Sequence, residues 1–136
     1  QLAKLDRLQG RREEIARRYS EVFSQEEALE PPVVRPHVRM AWHIYVLRLR
    51  RSVLKVGRDH FIEELRRRNI GTSVHFVPIH LHSAYKKILK KTAKDYPSAM
   101  GFYSRALTLP LHPGMSNGDA QDVIDAVLDI VRRNRA

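Results

Sequence analysis

The sequence predicts an α/β fold: a two-layer sandwich whose small sheet, of about three strands, is covered by helices on one face. Three observations carry that expectation. Helical and strand-like periodicities alternate along the chain. The links between them are short and punctuated by proline or glycine. No apolar run approaches the ~18 residues that cross a bilayer, so the apolar side chains are available to build a core. The 136 residues fit one domain, 1–136, able to bury about two-thirds of its unfolded surface.

The elements follow in order. Leu2, Leu5, Leu8, Ile15, Tyr19 and Val22 recur at helical spacing with charges between them, which predicts a long amphipathic helix over 2–24. Gly10 weakens that helix without ending it. Glu30-Pro31-Pro32 breaks the pattern and Pro36 keeps 33–39 extended, as linker or edge strand. Trp42, Ile44 and Val46 alternate with His43, Tyr45 and Leu47, a strand covered on both faces, or on one face and a pocket wall. Gly57, Arg58 and Asp59 open a helix through Arg68, closed by Asn69 in a left-handed cap with Ile70 behind it.

Thr72 to Val77 reads as a second strand. Tyr85, Ile88 and Leu89 mark a short helix, and helical spacing places Lys86, Lys87, Lys90, Lys91 and Lys94 on its other side. A further helix runs from Pro97 through Ala106, and Leu107, Leu109 and Leu111 alternate as the third strand, cut off by Pro110 and Pro113. Ser116 to Asp119 has the form of a capping box ahead of a final amphipathic helix carrying Val123, Ile124, Val127, Ile130 and Val131. The uncovered face of the sheet should leave some apolar surface exposed.

The chain carries 25 basic against 15 acidic residues, +10 overall, with 43% hydrophobic and 29% charged content. One reading of that excess is a basic nucleic-acid-binding module. Against it, most basic residues interleave with acids, as in RREEIARRYSE and RDHFIEELRRR, and no basic surface is threaded with the aromatics that base stacking uses. An anionic small substrate accounts better for a modest local excess. No nucleic-acid or membrane partner is therefore assigned. Cysteine is absent, so disulfides and thiolate metal sites are out of reach; with no signal-peptide pattern, this fits a cytoplasmic protein.

The most chemically informative stretch is Ile70 to Tyr85, IGTSVHFVPIHLHSAY, where His75, His80 and His82 cluster around Pro78. Imidazole is the side chain whose unperturbed charge changes near neutral pH. A histidine-based metal-binding domain is one use of such a cluster, because imidazole binds zinc well. His80 and His82 point the same way on an extended segment. No carboxylate flanks them, and no metal ligand is assigned. Upstream, Trp42, His43 and Tyr45 could wall a sugar or nucleotide pocket, Trp42 being better explained as a residue packed under a helix.

These motifs in order, GT-x-V-H-F-x-P-x-H followed by Tyr85, the earlier W-H-I-Y-V and the later ALTLPLHPGM, resemble the C-terminal small domain of the DegT/DnrJ/StrS family. The opening QLAKLDRLQGRREEIARRY, within 1–24, resembles the helix that links that family's N-terminal large domain to its small one. The resemblance implies the small domain of a fold type I, pyridoxal-phosphate-dependent sugar aminotransferase. Such a parent moves an amino group, commonly from glutamate, onto a nucleotide-linked keto sugar, and dimerises largely through its large domain. It also implies that the Schiff-base lysine lies in the large domain, and no lysine from Lys4 to Lys94 matches its position. The chain opens on Gln1 near the expected junction, so it is expected to be a fragment of a longer enzyme, neither binding the cofactor nor catalysing alone. No catalytic residue is assigned within it.

On that resemblance the substrate side is expected to use His80 first, then His75, His43, Tyr45 and Tyr85. Lys86, Lys87 and Lys90 are candidates for attracting the substrate diphosphate, against the alternative of a solvated face. His82 is set aside, because many relatives carry a different polar residue there.

Overall fold

The computed structural model describes residues 2–136. A 3-10 turn at Leu2–Lys4 leads into helix α1, Leu5–Phe23. The second half of α1 is embedded: Ile15, Ala16, Tyr19 and Phe23 are buried, whereas Leu2 and Leu5 stand in solvent. Arg11 fixes the point of entry, its Nε and Nη2 donating to the Met115 carbonyl at 3.1 and 2.7 Å.

Strand β1, Leu29–Glu30, pairs antiparallel with β2, Tyr45–Leu49, and β2 pairs antiparallel with β3, Ala106–Leu109, giving a three-stranded sheet in the order β1-β2-β3. Tyr45 lies opposite Leu109 and Leu47 opposite Leu107, so one face is a continuous apolar layer. Helix α2, Arg58–Arg67, contributes Phe61 and Leu65 to the core. Helix α5, Asn117–Arg133, contributes Val123, Ile124, Val127, Ile130 and Val131, and both α1 and α2 pack on it. Each large apolar side chain buried this fully is worth about 1.5–3 kcal/mol. That burial, more than helix propensity, holds the two layers together.

Local chemistry explains the boundaries. Asn69 takes a left-handed φ of 60° just past α2, as an asparagine after a helix does. Ser116 caps α5 in both directions: its Oγ accepts from the Asp119 amide at 3.0 Å and its amide donates to the Asp119 carboxylate at 2.7 Å. Glu30 ends β1 under three arginines, with Arg105 Nη1 at 2.7 Å, Arg48 at 3.2 Å and Arg50 at 3.7 Å. Partial burial pushes its carboxyl up. The Arg105 hydrogen bond and the charges of Arg105, Arg48 and Arg50 outweigh that and hold it below the usual range.

Several expectations are corrected. Thr72 to Val77 is not a strand: only Ser73 bridges to Thr108, exchanging hydrogen bonds of 3.2 and 2.7 Å. The ladder stops on one side because Pro110 has no N–H, and on the other the chain turns away as the His75 ring takes the Thr108 hydroxyl. The third strand of the sheet is instead β1, two residues immediately before the Pro31-Pro32 break. β2 begins at Tyr45 and not at Trp42. Helix α4, Pro97–Tyr103, stops short of Ala106, which opens β3, and Leu111 falls beyond β3.

The helices cover one sheet face as expected, but the opposite face is not bare. Val46, Arg48, Ala106 and Thr108 share it. His75 reaches Thr108, and the Arg48 guanidinium lies 5.9 Å from the centre of the Phe102 ring of α4. Exposed apolar side chains do occur, on the irregular segment and on helix α3, Ser83–Leu89: Phe76 and Ile88 are both 74% exposed.

Candidate functional site

The segment carrying the histidines is shaped by one tight turn. Pro78 precedes a 3-10 turn, Ile79–Leu81, closed by Leu81 N–H to the Pro78 carbonyl at 2.9 Å and His82 N–H to the Ile79 carbonyl at 3.1 Å. The turn throws Ile79 outward and drives His80 inward, to 5% exposure. The His80 ring stacks on Tyr96, centroids 4.5 Å apart and planes 27° from parallel. Its Nε2 is buried without a hydrogen-bond partner. A buried polar atom left unpaired costs about 1–3 kcal/mol, so its presence calls for a role.

The three imidazoles go to separate partners. His75 Nδ1 sits 2.9 Å from Thr108 Oγ1, and exposed His82 places Nε2 3.2 Å from the Val77 carbonyl. Among the described residues, no three His, Cys, Asp or Glu side chains converge as metal ligands would. No described helix is long and apolar enough to cross a membrane.

The other predicted residues are scattered. His43 is exposed in the approach to β2, and Tyr85 is exposed on α3. Tyr45 is corrected outright. It is fully buried, stacked on Trp42 at 5.8 Å and edge-on to Tyr19 at 5.1 Å, with its hydroxyl 3.0 Å from Ser20 Oγ. Burial pushes that phenol up to about 12, against the opposing Ser20 hydrogen bond. A ring closed in on all sides walls no pocket. Trp42 is buried beside it, as a packing residue.

The lysine face also differs from expectation. α3 ends at Leu89, and Lys90 takes a left-handed φ of 49°, so only Lys86 and Lys87 ride on the helix. Lys91 and Lys94 lie past the break, Lys91 paired with Asp95 at 3.8 Å. All five are exposed. Many arginines, by contrast, are engaged: Arg66 with Glu63, Arg67 and Arg68 with Glu64, and Arg68 also with Asp129. Much of the positive excess is thus a set of paired helix faces.

The larger grooves lie elsewhere. One of about 710 Å³ is bordered by Arg68, Asn69 and Asp122 to Asp129, and another of about 710 Å³ runs between α1 and residues 32–42. Neither contains His75 or His80. The histidine segment itself carries exposed apolar side chains, Phe76, Val77 and Ile79 among them. Sequence reasoning missed Tyr96, whose only signal was an aromatic placed just before Pro97.

A helix-backed antiparallel sheet with this histidine-bearing turn defines a class. The chain belongs to the DegT/DnrJ/EryC1/StrS aminotransferase family, whose profile it matches over residues 1–128. It is 46% identical over 135 residues to the protein MJ1066 of Methanocaldococcus jannaschii, covering 99% of this chain and 35% of that one. It is 48% identical over 133 residues to the spore coat polysaccharide biosynthesis protein SpsC of Bacillus subtilis, covering 97% and 34%. The fold superposes on the sugar aminotransferase Spr1654 of Streptococcus pneumoniae in its PMP form with a TM-score of 0.87 at 28% identity, covering 97% of this chain and 33% of that one. That protein has also been solved in its PLP form. The chain therefore spans about a third of the length of the relatives it matches.

The described residues do not by themselves fit pyridoxal phosphate. A Schiff-base lysine needs a desolvated pocket to be activated. Every described lysine is exposed, and none lines the grooves found.

Proposed function

We propose that the chain is the C-terminal small domain of a pyridoxal-phosphate-dependent aminotransferase that transfers an amino group to a nucleotide-linked keto sugar. The observation that carries this reading is the family match over residues 1–128. Coverage of only about a third of each relative supports a longer parent, whose large domain holds the cofactor and its lysine. The cofactor supplies the electron sink, and the protein orients the reactants. In the parent, His80 offers its unpaired Nε2 to a polar group of the substrate, and His75, Tyr85 and His43 are further candidates for substrate contact. Lys86, Lys87 and Lys90 raise the local concentration of the anionic diphosphate. The amino donor is glutamate, the parent a cytoplasmic homodimer, and the fragment inactive alone.

The test is His80→Ala in the full-length parent. Turnover with a nucleotide keto sugar should fall by about ten- to a thousand-fold, as when a single well-placed donor leaves a closed site. Cofactor absorbance should hold, because His80 stands on the substrate side. Wild-type kinetics would remove His80 from the site.

A further inference from the structure

We infer that Tyr96 is a positioning residue for His80. Its ring sets the plane in which the unpaired imidazole nitrogen is offered to substrate. This rests on the substrate-side reading of His80 and goes beyond it, because Tyr96 belongs to none of the motifs that led there. Three features converge. The Tyr96 ring lies 4.5 Å from the His80 ring at 27°, close to a parallel stack. His80 is 95% removed from solvent, yet its Nε2 has no hydrogen bond to fix the ring's rotation. An imidazole is ordinarily oriented by a partner on one nitrogen, as the Thr108 hydroxyl holds His75 at 2.9 Å. For His80 the face of an aromatic ring takes over that office.

Tyr96 is itself held in place. The Tyr96 N–H donates to the Ala93 carbonyl at 3.3 Å. The preceding 3-10 turn, Ala93–Asp95, is locked by Thr92, whose amide and hydroxyl donate to the Asp95 carboxylate at 2.7 and 3.0 Å. Pro97 follows at the first position of α4 and fixes the backbone on the other side. Tyr96 as a residue is 36% exposed, so it is not simply part of the core. An aromatic about one-third exposed, stapled on both flanks and stacked on a buried histidine, is the arrangement an orienting ring requires. The contact uses the ring alone; the hydroxyl has no part in it.

The experiment has two readouts. In the 136-residue chain, the ring-current shift of the His80 Cε1 proton reports the stack directly by NMR. Wild type and Tyr96→Phe should give the same upfield position, and Tyr96→Leu should release it. In the full-length parent, Tyr96→Phe should keep wild-type kcat/KM, and Tyr96→Leu should lose about ten- to a hundred-fold, the scale of a misplaced contact. In a His80→Ala background the same Tyr96→Leu change should cost nothing further, since the ring acts only through the imidazole. An equal loss in both backgrounds would show Tyr96 to be structural or to touch substrate itself, and an unmoved proton in Tyr96→Leu would show that the stack does not hold the ring. Either overturns the inference while leaving His80 in the site. A silent His80→Ala variant overturns both together.

Discussion

Replacing Ser20 by Ala should cost more stability than replacing its partner Tyr45 by Phe, although both remove the same 3.0 Å hydrogen bond. Tyr45 is fully buried, so in Ser20→Ala its hydroxyl is left in the core with no acceptor or donor. The penalty for such an orphan is about 1–3 kcal/mol. Tyr45→Phe keeps the ring contacts with Trp42 and Tyr19 and leaves the orphan on Ser20, which is only half-buried on α1 and can turn toward water. That change should cost about 1 kcal/mol, or about 4 °C in Tm for a domain of this size. Tyr45→Ala removes the ring and leaves a cavity, at about 3–5 kcal/mol. Thermal unfolding of the three single variants and of Ser20→Ala with Tyr45→Phe gives the comparison, and the double variant should return to the level of Tyr45→Phe. The parent's KM for its sugar substrate should be unchanged in Tyr45→Phe. A Ser20→Ala variant milder than Tyr45→Phe, or a raised KM at full stability, would refute the assignment of Tyr45 to the core.

Three further outcomes follow from named contacts. Glu30→Gln should lower Tm at neutral pH by an amount corresponding to about 1 kcal/mol. Because the Glu30 carboxyl is held below its ordinary value of 4.5, its stabilisation is present above that value and lost as pH falls through the lowered one, so the gap between wild type and variant should close in acid. Ser116→Ala should cost about 1 kcal/mol and Ser116→Gly only a few tenths, read by chemical denaturation, because the side chain serves the Asp119 amide at the start of α5. Replacing Lys86, Lys87 and Lys90 by Gln should raise the parent's KM at low salt, with the effect fading as the Debye length falls to about 8 Å near physiological ionic strength; an unchanged KM returns these lysines to the solvated surface.

The parts of the fold legible in sequence are those where side chains themselves carry the period. α1, α2 and α5 alternate charge and apolar residue over several turns, and the end of α2 and the start of α5 are written in Asn69 and the Ser116 box. The sheet was harder to read because its outcome hangs on pairing between distant residues. Thr72 to Val77 has the composition of a strand, yet only Ser73 pairs, with Thr108. Leu29–Glu30 has the composition of a helix end, yet it lies beside Leu49 and Arg48. The lysines misled for a local reason: Lys90 adopts a left-handed backbone that no spacing rule foresees. For the site, the histidines could be picked out by type and motif. Which of them is buried, and on what, is decided by the turn at Pro78 and by Tyr96, sixteen residues away in sequence.

Mechanically, α1 is a cantilever. Its far half is gripped from Ile15 to Phe23, Arg11 anchors it to the Met115 carbonyl and Gln9 to the Met40 carbonyl at 2.8 Å, and ahead of these Leu2 and Leu5 are exposed. The stretch ahead of Gln9 is roughly 10 Å long at about 1.5 Å per residue, so a tilt of about ten degrees at the grip moves its far end by about 2 Å. Gly10 stands between these two anchors with nothing within 4 Å of the space a side chain would fill, and as a glycine inside a helix it is where the beam bends most readily. A load applied at the tip reaches the sheet as torque through Tyr19 and Phe23, and Tyr19 passes it on to the Pro110 carbonyl at the end of β3.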